Sequence, residues 1–157
     1  MRTLVVYYSR THNSKKVAEN IKNHLQCDIE GIISKTKYNG PVGFVKGAKE
    51  AKKGKEIEIL IPKFDASQYD CVILGTPVWA GTVSTPMLAY INQNKEKFNK
   101  VAFFLTSKTG KVDDVFIKES ELVGKKPVNT LNIKESDNVK EIDDKVIEFL
   151  KGLEKED

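Results

Sequence analysis

The chain has 157 residues, 39% apolar and 31% charged, which suffices for the core of one ordinary domain and is unlike a disordered segment. No apolar run approaches the ~20 residues that cross a bilayer, and the start, MRTLVVYYSR, is too short and too quickly polar for a secretory signal, so a cytoplasmic location is expected. Net charge is +4, but the lysines crowded between Lys46 and Lys55 have few aromatics among them, which argues for a solvated helix face and against a stacking nucleic-acid surface; the charge suits an acidic protein partner.

Leu4 to Tyr8 is a nearly continuous apolar run of strand length, and Val17, Ala18, Ile21 and Leu25 after it form a helical stripe. Ile29 to Ile33 is a weaker strand. Between 41 and 53, Phe44, Val45, Ala48 and Ala51 recur at helical spacing, and 54 to 67 reads as a loop or irregular connection. Cys71 to Leu74 is the second strong strand. Thr85 and Pro86 predict an N-cap and first turn, with Leu88 and Ile91 inward. Val101 to Leu105 is the third strong strand. Val112, Val115 and Phe116 predict a short helix ending near Gly124, and Val128 to Ile133 a weaker strand. The clearest helix is the last, with Val139, Ile142, Val146, Leu150 and Leu153 on one side.

The strong runs do not alternate apolar with polar, as strands buried on both faces of a parallel sheet require. Five alternations of strand and helix imply right-handed crossovers and a doubly wound sheet. No repeat, low-complexity tract or linker interrupts the chain, so residues 1–157 are expected to form one domain. Cys27 and Cys71 are far apart and outside any Cys-x-x-Cys or Cys/His cluster, which argues against a disulfide framework or a structural zinc.

In such a sheet ligands bind beyond the carboxyl ends of the strands. Three segments follow the strong strands there: Ser9-Arg10-Thr11-His12-Asn13-Ser14, Gly75-Thr76-Pro77-Val78-Trp79-Ala80-Gly81-Thr82, and Thr106-Ser107-Lys108-Thr109-Gly110. All are rich in hydroxyls and small residues. The first precedes a helix, whose free N–H groups and dipole favour an anion. Plain N-capping needs one such side chain, and Ser9, Thr11, Asn13 and Ser14 supply four in six residues. It is neither a Walker loop nor a Gly-x-Gly-x-x-Gly. Trp79, the only tryptophan, either offers a flat face to a planar ring or packs over its own segment as core.

The run from Tyr7 to Ala18 resembles the phosphate-loop signature of the flavodoxin family, matching at Tyr7, Ser9 and Ala18 and keeping a hydroxyl at Ser14 where the family usually has threonine. It departs at His12, where a small residue, commonly glycine, is expected. Gly75 to Gly81 resembles the family's isoalloxazine loop, and the interval before Val128 has no room for the insertion of long-chain members. The resemblance implies a flavodoxin-like three-layer αβα sandwich with a five-stranded parallel sheet in the order 2-1-3-4-5. It implies FMN held non-covalently, with Ser9, Thr11, Asn13 and Ser14 on the phosphate, Arg10 and His12 beside them, and Trp79 stacked on the ring. Backbone from Thr76 through Pro77, Val78 and Ala80 to Gly81, and from Thr106 through Ser107, Lys108 and Thr109 to Gly110, would meet the ring edge and ribityl chain. His12 either faces solvent or supplements the phosphate site, and Ala80 is expected to resist a positive φ.

The implied activity is electron transfer between redox partner proteins or a small donor and acceptor, with no metal and no side chain as general acid or base. An FMN-dependent NAD(P)H or quinone-type oxidoreductase is the alternative, and a flavodoxin-like scaffold without flavin a lesser one. A phosphorelay receiver would need acidic residues where this chain has Ser9 and Gly75-Thr76.

Overall fold

In the computed structural model, which describes residues 1–155, the continuous apolar runs form the middle of one sheet. Glu156 and Asp157, part of the expected 1–157 domain, lie outside the described residues. The strands in chain order are β1 (Thr3–Tyr7), β2 (Asp28–Gly31), β3 (Cys71–Trp79), β4 (Thr82–Val83), β5 (Lys100–Ser107) and β6 (Thr130–Lys134). They lie side by side as β2-β1-β3-β5-β6, all parallel, with β4 antiparallel on the end of β3. Counting the parallel strands alone, this is the expected 2-1-3-4-5 order, and β4 is an addition to it.

Successive strand residues point to opposite faces, and here both faces are covered. Val5, Ile73, Ala102 and Phe104 pack against α1 (Asn13–Leu25) and α5 (Val139–Glu154). Leu4, Val6, Val72, Leu74, Val101 and Phe103 pack on the other side, which carries α2 (Gly40–Lys53), α3 (Thr85–Asn94) and α4 (Asp113–Val123). All ten strand residues are fully buried, and each of the nine larger than alanine contributes about 1.5–3 kcal/mol. At Gly75 an added Cβ would stand 1.9 Å from the Phe104 ring, so the strand admits only glycine there.

Four local expectations are corrected. The side chain capping α3 is Ser84, whose hydroxyl accepts from the Met87 N–H (3.4 Å); Thr85 and Pro86 are already inside the first turn. Val139 at the start of α5 is exposed, and the buried face is Val146, Phe149, Leu150 and Leu153. In α2 only part of the expected stripe turns inward: Ala51 is buried, but Phe44 and Val45 are exposed, and Gly43, Gly47 and Glu50 complete the buried face. Small residues face inward because the helix approaches closely; a Cβ at Gly47 would lie 3.1 Å from the Trp79 ring. Finally, β3 turns into β4 through two residues, Ala80 at φ 49° and Gly81 at φ 75°. Positive φ at both central positions is the pattern of a type I′ hairpin, whose twist matches its strands, and this demand overrides the steric resistance of alanine.

The segment expected to be irregular is tied at two points. Leu60 N–H donates to Ile33 O (2.9 Å) and Lys35 N–H to Glu58 O (3.0 Å), while the Glu30 carboxylate accepts from the Lys63 and Phe64 N–H groups. Among the described residues no helix is long and apolar enough to cross a membrane.

Candidate functional site

Parallel strands deliver their carboxyl ends to one edge, so the three segments singled out above meet there around a cavity of about 380 Å³. Ser9, Arg10, Thr11, Asn13 and Ser14 line it from the β1–α1 loop. Pro77, Val78 and Trp79 line it from the end of β3, which continues as strand to Trp79 where a loop was expected. Thr106, Ser107, Lys108 and Thr109 line it from the end of β5 and beyond. The size lies in the range of small-molecule sites.

Several hydrogen-bonding groups at the start of α1 are left unused. His12 precedes α1 in the left-handed region (φ 68°, ψ −1°) and makes no side-chain cap, and the first turn carries no acidic residue. The first bond inside the helix is Lys16 N–H to His12 O (3.0 Å), so the N–H groups of Asn13, Ser14 and Lys15 have no partner along the helix. Ser9 Oγ is buried with no hydrogen-bond partner in the protein, a position that costs about 1–3 kcal/mol unless a ligand completes it. Asn13 Nδ2 donates weakly to Thr11 Oγ1 (3.4 Å), and Ser14 Oγ and Thr106 Oγ1 share a hydrogen bond (2.8 Å) that joins the first and third segments. Arg10, Lys108 and Lys111 add positive charge around the rim, against one carboxylate, Glu135. These groups fit a phosphate monoester. The left-handed backbone at His12 accounts for the glycine expected at that position.

Trp79 supplies the cavity with an aromatic wall, backed by two tyrosines. Trp79 is 7% exposed and meets the Tyr8 ring edge-on (5.5 Å, 89°) and the Tyr38 ring at 5.0 Å and 65°. Tyr38 is fixed in turn: its hydroxyl donates to Glu50 Oε2 (2.6 Å) and lies 2.9 Å from Thr85 Oγ1. Burial, with the bond to Glu50, pushes the Tyr38 pKa up to about 12, so it keeps its proton at neutral pH. Burial pushes Glu50 upward, but the bonds from Tyr38 and Lys55 (3.1 Å) outweigh this and hold its carboxyl below the ordinary range.

Five of the expected residues stand outside the cavity lining. His12 is exposed and contributes its backbone. Thr76 is fully buried, its hydroxyl accepting from Ser84 N–H (3.1 Å) and donating to Ser84 Oγ (2.8 Å). Ala80 and Gly81 form the hairpin turn, and Gly110, at φ 74°, donates its N–H to Ser107 Oγ (3.3 Å). Conversely, Phe44, Lys111, Val112 and Glu135 line the cavity without having been singled out. Phe44 lies on a helix and carries no local signal, whereas Lys111 and Val112 directly continue the third segment and Glu135 directly follows β6, at the same carboxyl edge. His24 pairs with Asp143 (2.7 Å) from α1 to α5, a partnership invisible in sequence, but both are exposed and neither lines the cavity.

The sheet order and its furnished carboxyl edge define an α/β protein of flavodoxin-like fold. No protein-family model matches the chain, and no curated protein matches its sequence. Solved structures do match. A flavoprotein from Lactobacillus acidophilus NCFM, described in complex with FMN, superposes with a TM-score of 0.75 at 22% identity, over 95% of this chain and 98% of that one. The flavodoxin WrbA-like protein from Agrobacterium tumefaciens gives 0.65 at 13% identity, over 98% and 95%. A flavodoxin from the domain Archaea gives 0.59 at 17%, over 99% and 98%. Likeness at these identities establishes the fold.

Proposed function

We propose that this chain is a single-domain, cytoplasmic electron-transfer protein that binds one FMN non-covalently at the carboxyl edge of its sheet. The observation that carries the reading is the pairing, in one cavity, of an uncapped helix start holding a buried, unpartnered Ser9 hydroxyl with an aromatic wall. The description of the Lactobacillus acidophilus protein as an FMN complex supports it.

Ser9, Thr11, Asn13, Ser14 and the first N–H groups of α1 would hold the phosphate; Pro77 to Trp79 and Thr106 to Thr109 would bound the remainder. Bound FMN supplies reversible electron transfer, and the protein supplies binding, orientation and electrostatics. The rim cations Arg10, Lys108 and Lys111 suit acidic redox partners. The same cations would also attract the phosphates of NAD(P)H, which favours an FMN-dependent NAD(P)H or quinone-type oxidoreductase as the second reading.

The visible spectrum of the purified protein, with its cofactor identified after denaturation, tests the proposal. Yellow protein releasing FMN is expected. Colourless protein whose Trp79 fluorescence ignores added FMN would leave only a flavodoxin-like scaffold. Steady-state oxidation of NAD(P)H with a quinone acceptor separates the two active readings, since a carrier shows no such turnover.

A further inference from the structure

We propose that Phe44 is the side chain that covers the flavin ring, and that Trp79 serves as the fixed wall behind it. The inference rests on the FMN reading above and assigns a residue within it. A ring that stacks on a ligand needs a free face and room to adjust. Trp79 has neither. It is 7% exposed, Tyr8 and Tyr38 meet it at centroid distances of 5.5 and 5.0 Å, and α2 presses on it at Gly47. Tyr38 is locked by Glu50 and Thr85, so the indole cannot swing without breaking a buried network.

Phe44 has both. It sits near the start of α2, is 48% exposed and lines the same cavity. Its ring is met by two cations, with Arg10 Cζ 5.3 Å and Lys108 Nζ 5.0 Å from the centroid. Arg10 belongs to the segment after β1 and Lys108 to the segment after β5, so Phe44 bridges two of the segments that bound the cavity. Exposed cation–π contacts are comparable in strength to aromatic stacking, so one can be exchanged for the other at little cost. The inward glycine face of α2 is what leaves Phe44 outward at this spot.

The test is titration of the full-length protein with FMN, followed by flavin fluorescence, for wild type, Phe44→Ala and Phe44→Trp, with inorganic phosphate as competitor. Phe44 is exposed, so its replacement leaves the core intact. Phe44→Ala is expected to weaken FMN about tenfold, to brighten the bound flavin, and to leave phosphate competition unchanged, while Phe44→Trp restores binding. If Phe44→Ala binds FMN within about twofold of wild type, the assignment is wrong and the FMN reading stands. If phosphate binding falls equally, Phe44 serves the anion cradle and the assignment is again wrong. Wild type that fails to bind FMN overturns the function and the assignment together.

Discussion

Helices α1 and α5 lie beside each other on one face of the sheet, and each follows a parallel strand, yet they begin in opposite ways. At α5, Asn138 Oδ1 accepts from the Glu141 N–H (2.9 Å) and the Glu141 carboxylate reaches back to the Asn138 N–H (3.4 Å), which closes the end and answers its dipole. At α1 no side chain caps the helix and no acid stands in its first turn. A helix start that satisfies itself is structural. One left open beside a cavity, under an orphaned serine hydroxyl, is a place for an anion from outside.

Closing α1 artificially is the sharpest way to break this contrast. Asn13→Asp places a carboxylate at the first helical position, where the dipole should stabilise the fold by about 0.5 kcal/mol. The same carboxylate repels a phosphate dianion, and FMN affinity should fall about 100-fold. Thermal denaturation and FMN titration should therefore move in opposite directions; if both rise, the α1 start is not the phosphate site.

The next test asks whether an unsatisfied polar group by itself marks a ligand. Glu119 on α4 is fully buried between Val115 and Val123 on one helix face, and neither carboxyl oxygen has a hydrogen-bond partner, but it lines no part of the cavity. Burial holds its pKa well above the ordinary 4.5. The folded state thus binds the proton more tightly than the unfolded chain. That stability is present below 4.5 and is lost as pH rises towards the raised folded value. Glu119→Leu should remove this slope and stabilise the protein by about 1–3 kcal/mol at neutral pH. Urea unfolding at acid and neutral pH measures both, and an unchanged FMN affinity would mark Glu119 as a structural burden unrelated to the site.

The smallest effect is expected at the closed helix. Asn138→Ala should cost about 1 kcal/mol in urea unfolding and leave FMN binding untouched. A loss of FMN affinity there would erase the distinction between the two helix starts.

Much of this architecture was legible because it is local. Continuous apolar runs mark strands covered on both faces, and Leu4 to Val6, Cys71 to Leu74 and Val101 to Leu105 are all buried. Hydroxyl-rich segments after those strands must converge, because parallel strands end together. Gly124, at φ 76°, ends α4 where the pattern placed the stop. The errors concern neighbours. Helical spacing groups the exposed Phe44 and Val45 with the buried Ala51, but the choice of inward face depends on what the helix meets, and α2 meets an indole at Gly47, where even a Cβ would be crowded.

The sequence by itself therefore determined the five parallel strands in outline and the polar segments at one edge, though not β4 or the extension of β3 to Trp79, since burial periodicity and turn chemistry act between residues close along the chain. Only the tertiary structure decided that Trp79 is clamped, that Phe44 lines the cavity between Arg10 and Lys108 and that the Ser9 hydroxyl lacks a partner. Each of these depends on contacts between elements far apart in sequence, and close packing fixes such contacts only when the whole sheet is assembled.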